Sequence, residues 1–537
     1  MIDIKKHINK LERKPGKQTG YIRVMSKIVK DLSSGIYSSP ANCIKEIINN
    51  SFDADATEVI VRAKPSLDIF SITDNGNGMS IEEFDEQFSV ISKSFKRIGS
   101  QLTEKFKRPI IGKIGIGFIA VNEICDSLTI ITKRKHDKGR IKAEINFKKF
   151  KDEDKDSIDE FYKKSSFNLY YEEVPGEKDE NYTKIILTHL TADFKKMLLD
   201  KAVISEQLEN KTFEEITQYL RKERMNSYEQ LSDYWKIVMG VAQTVPVEYM
   251  QEGPIRLEKK DSIIENIKEK LKSYNFKVDF DGLILKKPTF FPTEDKFDIY
   301  GRDFVVHSFK KEIPIENTKL SFRGYFYSQH GGIFPKDDAG VLIRVKNVKV
   351  GDIDSGYLGY PFVTNQVFRH WNFCEIYIDD GLERAMNIDR NSFRVTDAHY
   401  RALKQFMHSY LDEVVFPYCL DGFYKAKKER KEKEKRKKHE KKIKNVLKFN
   451  FNQFGKKTNI EVKEDKTGDP VDIKPEEATV VIRPKTSVFK NYSKGEKEFL
   501  QEILVLFEAA YKKAKNKRDG VIKLKEYFLE NLRNREK

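Results

Sequence analysis

Residues 40–54 read PANCIKEIINNSFDA, and this stretch decides the N-terminal fold. Proline suits the first turn of a helix, where its missing N–H leaves no bond unmade. At about 100° per residue, Glu46, Asn50 and Asp53 fall within an arc of roughly 60°. Ile44, Ile47 and Ile48 lie on the opposite side. An apolar face can therefore pack while a carboxylate, an amide and a second carboxylate point into a cavity. An asparagine oxygen suits Mg²⁺, which prefers hard oxygen ligands and keeps several waters. A neighbouring glutamate suits a base that orients and deprotonates water. An ordinary amphipathic helix with a polar outer face would read the same way, so the stretch needs company.

Company is found downstream. The strand-like run IFSIT (69–73) leads into Asp74-Asn75-Gly76-Asn77-Gly78-Met79. A carboxylate at a strand end followed by two glycines makes a tight turn beside an acceptor. Such an acceptor can take a hydrogen bond from an exocyclic amine, although a hairpin turn carries the same letters. Next, Gly112-Lys113-Ile114-Gly115-Ile116-Gly117-Phe118 runs into a helical pattern. Closely spaced glycines there let backbone N–H groups approach phosphates. There is no GxxxxGK[ST] P-loop in the chain,.

In this order and spacing, E-x-x-x-N-x-x-D-A, D-x-G-x-G-M and G-x-x-G-x-G-F resemble the GHKL ATPase superfamily over residues 20–190. That group includes the 90-kDa heat-shock chaperones, type II topoisomerase ATPase domains, MutL-type and MORC proteins and histidine kinases. The resemblance implies a cofactor pair of ATP and Mg²⁺. It makes Glu46 the general base, Asn50 the Mg²⁺ ligand and Asp53 a support of the nucleotide network. Asp74 becomes the adenine-binding carboxylate, with Gly76, Gly78 and Met79 lining the base pocket. Gly112, Gly115, Gly117 and Phe118 become the phosphate-binding end of a lid spanning residues 80–111. Ser92, Lys93 and Ser94 resemble lid residues that approach the nucleotide. Lys113 sits near the phosphates by the same likeness or faces solvent. Thr183 matches a threonine that helps hold adenine, although Tyr182 replaces the glycine usual before it. Glu46 and the lack of any upstream histidine but His7 favour hydrolysis over kinase chemistry.

Phosphoryl transfer also calls for a cation on the γ-phosphate. Residues 385–391, AMNIDRN, resemble the arginine-bearing loop of the 90-kDa chaperones' middle domain. Arg390 is the expected catalytic cation, with Arg344 and Lys346 on a predicted strand as alternatives. The strand patterns LSFRGYFYS from Leu320 and GVLIRVKNVKV from Gly340 precede it in similar succession.

The expected fold class is α+β. It comprises an N-terminal Bergerat-type α/β sandwich (1–200), a helical connector (201–280) and an α/β, transducer-like middle domain (281–423). A basic helix and polar linker (424–493) and a C-terminal helical segment (494–537) follow. In that last segment Leu500, Ile503, Leu504, Leu506 and Phe507 form a helical stripe that fits a small core or a dimer interface.

The chain has 537 residues, 34% of them charged and 39% hydrophobic, and a net charge of +16. That is enough apolar material for real cores. No apolar run reaches the roughly 18–20 residues that span a bilayer. The four cysteines are far apart, the N-terminus lacks the apolar stretch of a secretory signal, and a reducing cytoplasm is the expected compartment. Between Lys425 and Lys448 there are 14 Lys/Arg and 4 Glu, so +10 of the +16 lies in 24 residues. Such a block is either a solvated helix or a grip on a polyanion. Three functions follow from the resemblance. The first is a homodimeric, ATP-gated clamp with N-terminal association, acting on a protein client without a membrane. The second is a similar clamp on DNA, as in MutL and MORC proteins, in the setting of bacterial genome defence. The third is a slow ATPase scaffold that recruits a partner.

Overall fold

Strand alternation sorts the N-terminal residues onto two faces. A computed structural model describes residues 39–88, 101–112, 119–148, 167–200, 211–222, 227–250, 261–288, 304–361, 365–387, 390–450, 459–463, 465–474, 479–489 and 492–525. Two compact units emerge, Met1–Cys419 and Leu420–Lys537.

The first unit opens with helix α1 (Pro40–Asp53), whose N-cap Ser39 accepts the Asn42 N–H. Strands β1 (Glu58–Lys64), β2 (Ile69–Asp74), β3 (Cys125–Lys133), β4 (Gly139–Asn146), β5 (Phe167–Glu173), β6 (Tyr182–Leu190), β7 (Lys277–Phe280) and β8 (Leu283–Ile284) form one sheet. Its order is β5-β4-β3-β6-β2-β1-β7-β8. All its pairs are antiparallel except β1 with β7. Val59, Val61, Phe70, Ile72, Leu128, Ile130 and Leu187 turn to a single core that also holds Ile44, Ile47 and Ile48 of α1. Helix α2 (Ile81–Phe88) follows β2, and α3 (Ala192–Leu199) follows β6. The next stretch contains α4 (Phe213–Lys222), α5 (Asp233–Thr244) and α6 (Ser262–Ser273). Helix α5 buries most of its residues and packs on α1. The N-terminal sheet therefore extends beyond residue 200, because β7 and β8 complete its edge.

The second sheet is built from β9 (Phe304–Ile315), β10 (Thr318–Gln329), β11 (Gly340–Val345), β12 (Val348–Asp354) and β13 (Asn372–Asp380). Its order is β12-β11-β13-β10-β9, with β11 and β13 parallel. Ile264 of α6 packs with Tyr325 and Tyr327. Helix α7 (Ala398–Tyr410) sets Phe406 and Tyr410 against Phe309, Phe322 and Phe326. A π-helical stretch, Leu411–Val415, joins α7 to the 35-residue helix α8 (Phe416–Asn450).

In the second unit, β14 (Asn459–Val462), β15 (Val471–Lys474) and β16 (Thr479–Ile482) make a sheet ordered β14-β16-β15. Helix α9 (Lys494–Lys513), begun by a capping box on Ser493 and Glu496, packs on it through Val505 and Ala509. The polar stretch expected to be a linker thus holds three strands. Each is four residues long, and the lysines, acids and glycine between them hide the alternation. The α9 stripe divides: Leu506 is buried, Leu504 packs against the core, and Phe507 is 51% exposed.

Between the two sheets' helices sits Arg108, fully buried. It donates to the carbonyls of Phe52 (3.2 Å) and Ala56 (2.7 Å) at the end of α1. It also donates to Tyr274 at the end of α6, at 3.0 and 2.5 Å. Phe52, Phe106 and Phe276 surround the guanidinium. A cation at two helix C-termini complements both dipoles. Replacing Arg108 by Met should lower unfolding free energy by about 3 kcal/mol or more, because several buried carbonyls lose their donor. Arg108→Lys should recover little, since an ammonium cannot span the same fork. Denaturant unfolding followed by far-UV circular dichroism checks both, and equal stability of Arg108→Met and the parent would refute the reading.

Candidate functional site

Helix α1 delivers its polar residues as the spacing predicts. Ile44, Ile47, Ile48 and Phe52 are buried, Glu46 and Asp53 are half-buried, and Asn50 is exposed. Asp53 accepts the Ile111 N–H at 2.7 Å and the Gly112 N–H at 2.8 Å, one oxygen to each. It fastens the peptide that enters the glycine-rich loop. Ser92, Lys93, Lys113, Gly115, Gly117 and Phe118 lie outside the described residues.

Asp74 ends β2 with its carboxylate 7% exposed. Ser51 Oγ donates to it at 2.7 Å and the Gly76 N–H at 2.9 Å. The Thr183 backbone gives a third bond, and burial still pushes the carboxyl up to about 6. Two carboxylate oxygens offer about four lone pairs. Three are used by the protein, which leaves one for an exocyclic amine. The site residues thus fit an adenine.

Both turn glycines are sterically required. A Cβ on Gly76 would lie 2.8 Å from Asp74 Oδ1 and 2.9 Å from the Ala54 carbonyl. Gly78 has φ +66°, and a Cβ there would lie 1.9 Å from the Lys133 carbonyl. The Met79 N–H reaches Thr132 Oγ1 at 3.0 Å, and the Thr132 and Thr183 hydroxyls sit 3.1 Å apart. Asn181 Nδ2 donates to the carbonyls of Gly76 (2.6 Å) and Asn75 (3.1 Å). Ser51, Thr132 and Asn181 escape sequence reasoning. Only Ser51 left a trace, as a hydroxyl on the buried side of α1.

From the turn between β13 and α7, Arg390 reaches the same peptide. Its Nη1 donates to the Ile111 carbonyl at 2.7 Å, and Lys346 Nζ donates to the Ile110 carbonyl at 2.6 Å. Arg390 itself holds φ +54°. A cavity of about 1060 Å³ opens beside them, lined by Ile111, Lys346, Glu383, Arg384, Asn387 and Arg390 among others. Arg344 is otherwise engaged. It is buried against Glu375 and donates to the Gln243 carbonyl at 2.7 Å. Burial opposes ionisation of Glu375, yet Arg344 and two tyrosine hydroxyls hold its carboxyl below the usual range. Arg344 therefore cannot also serve phosphate.

The chain contains a GHKL-type ATP-binding domain. The family described as "Histidine kinase-, DNA gyrase B-, and HSP90-like ATPase" matches residues 37–175. A putative type II restriction enzyme, HgiDII of Herpetosiphon aurantiacus, is 37% identical over 95 residues, covering 17% of this chain and 14% of that protein. The chaperone protein HtpG of Clostridium perfringens strain 13 is 26% identical over 229 residues, 36% of this chain and 35% of the chaperone. HtpG of Bacillus licheniformis is 29% identical over 126 residues, 20% of each chain. The chain therefore spans about a third or less of the curated relatives it matches. A crystal structure of the N-terminal domain of a DNA repair protein aligns over 73% of this chain and 99% of that one. At 12% identity and a TM-score of 0.37, that likeness is too loose to bear on function. No helix among the described residues is long and apolar enough to cross a membrane.

Asp74 makes the site pH-sensitive. As the pH falls through about 6, its carboxylate takes up a proton and loses the charge that would strengthen a bond from an exocyclic amine. ATP affinity should fall between pH 7.5 and 5, by about 10–100-fold, the worth of a charged hydrogen bond. Stability moves the other way at this residue. Its folded value is raised, so its contribution is full below the ordinary aspartate value and lost as pH rises through about 6,. Calorimetric ATP titration across this range checks the sign, and a flat profile would remove Asp74 from base recognition.

Proposed function

We propose that the protein hydrolyses ATP, with Glu46 as general base and Arg390 as the cation that offsets charge on the transferred phosphoryl group. The observation that carries this reading is the Ile111 peptide. Its N–H, that of Gly112, is held by Asp53 of α1, and its carbonyl, that of Ile111, by Arg390 in the turn that follows β13. One peptide beside the glycine-rich loop thus touches both halves of the presumed machinery.

In this reading Asp74, Ser51 and Thr183 hold the adenine, and the Gly76–Met79 turn closes over it. Asn50 would hold Mg²⁺, which supplies charge neutralisation on the phosphates. Glu46 orients a water and takes its proton. Arg390 leaves the Ile111 carbonyl to meet negative charge, a role suited to a planar, permanently charged fork. The chain works as a dimeric clamp whose N-terminal domains associate with ATP, and the likeness to HtpG supports a protein client.

Glu46→Ala should lower turnover by about 10²–10⁴-fold while ATP binding persists, as expected for loss of a general base. Arg390→Ala should lower turnover by about 10³-fold with affinity little changed, as for a transition-state arginine. Phosphate release and equilibrium ATP binding, measured on the same variants, decide the matter. Undiminished turnover in Glu46→Ala would sink the base assignment.

Helix α8 favours a second reading in which DNA is the client. Every residue from Tyr424 to Lys438 is exposed, and ten of these are Lys or Arg against three Glu. With charge on all sides and no apolar stripe, this segment suits a phosphate backbone better than a protein groove. Duplex binding should weaken steeply with salt. Deleting residues 425–448 should shrink the slope of log affinity on log salt, by about 0.9 for each phosphate that the helix neutralises. No binding at low salt would dismiss DNA.

A further inference from the structure

Helix α1 carries a cation that the proposed hydrolysis does not use. Lys45 immediately precedes Glu46 and is only 3% exposed. Burial lowers its pKa, opposed by Glu46. A buried ammonium is costly unless it is hydrogen-bonded. Among the described residues Lys45 Nζ forms no ion pair with a carboxylate; it donates to Asn391 Oδ1 at 3.1 Å.

The partner's location gives the bond its meaning. Asn391 adjoins Arg390, whose left-handed φ of +54° is sterically disfavoured for a residue with a side chain,. Such a conformation persists only when its surroundings hold it. One hold is internal: the Arg390 N–H donates to the Asn387 carbonyl at 3.1 Å, and the Asn387 N–H donates to Ser392 at 2.9 Å. A second comes from β12, where Gly351 has φ +71° and a Cβ would lie 2.6 Å from the Asn391 carbonyl. The third crosses from the nucleotide helix, and it is Lys45.

Charge explains why an amide sits opposite the ammonium. Lys45 feels Glu46 on its own helix, and Arg390, Lys349 and Asp352 from the second sheet. Lys349 is already tied to Asp352 and Gln243, each at 3.2 Å. A carboxylate at position 391 would compete for Arg390. A neutral acceptor holds Lys45 and leaves the arginine's charge uncancelled.

We propose that Lys45 is a positioning residue, whose hydrogen bond to Asn391 fixes the turn bearing Arg390 against the helix bearing Glu46. The cation and the base are then placed by one bond between neighbours in sequence: Lys45 beside Glu46, Asn391 beside Arg390. This role rests on the assignment of Arg390 to the γ-phosphate. Lys45 acts through Asn391 and needs no contact with nucleotide.

The test combines Lys45→Met, which keeps the stem, with Asn391→Ala. Each should lower turnover about 10–100-fold, as a misplaced catalytic group does, with ATP affinity within about twofold. Together they should be no worse than either alone, and Lys45→Met should add nothing in an Arg390→Ala background. In nucleotide-free protein, amide exchange at residues 390–393 should speed up in Lys45→Met and Asn391→Ala. Lys45→Arg, which restores a donor, should recover part of both signals. Multiplied losses in the Arg390→Ala background would overturn the proposal, since Lys45 would then act on Glu46 alone. Parental turnover and exchange in Lys45→Met would overturn it too. Parental turnover in Arg390→Ala would instead remove the arginine assignment itself, and this role with it.

Discussion

A buried guanidinium that hydrogen-bonds no carboxylate among the described residues must find acceptors elsewhere, and Arg108 finds backbone carbonyls at the ends of two helices. Its bonds to Phe52 and Ala56 close α1, and those to Tyr274 close α6. Helix α6 in turn packs Ile264 on the second sheet. Three things are thereby joined through one side chain: helix α1, the α6 support of the second sheet, and the segment 101–112 on which Arg108 itself rides. Asp55 strengthens the joint by accepting the N–H groups of Lys105 and Phe106.

The candidate site inherits its geometry from that joint. Three residues beyond Arg108, Ile111 offers its N–H to Asp53 and its carbonyl to Arg390. Arg108 already ties this segment to the end of α1, and Asp53 ties it a second time through Ile111 and Gly112. A small shift of this segment would misplace the glycine loop's entry and the arginine's resting acceptor together.

Much of this was legible in the sequence, for a physical reason. The α1 face and the Asp74 turn are local. Helical spacing and closely spaced glycines leave marks within a dozen residues, so the shared face of Glu46, Asn50 and Asp53 and the turn of Asp74, Gly76 and Gly78 could be read from letters alone. Thr132 and Asn181 could not, because their roles depend on the pairing of β3 with β6 and on a turn meeting its far neighbour. Arg108 looks like any basic residue in KFKRP. Lys45 reads as a polar neighbour of Glu46, since its acceptor Asn391 lies 346 positions later, a distance no periodicity can span. In the C-terminal unit, strands of four residues carry too few alternations to stand out from charged surroundings.

The junction between the sheets is polar where apolar packing would have served. Glu375 accepts from Tyr249 and Tyr325 at 2.6 Å each and pairs with Arg344. Arg344 and Lys287 donate to the carbonyls of Gln243 and Val245 around the end of α5, where cations complement the helix dipole,. Buried ion pairs add little net stability over a hydrophobic core, but removing one partner is costly. Their directional bonds admit one register, whereas apolar surfaces tolerate sliding. Swinging the whole second sheet away from α5 would break the Tyr249–Glu375 and Arg344–Gln243 bonds together. Shifting only the turn that bears Arg390 breaks a few part-buried bonds. The cheaper motion is the local one, and it places control of the arginine in the few interactions that hold that turn: the Asn387 and Ser392 bonds, the close approach of Gly351, and Lys45.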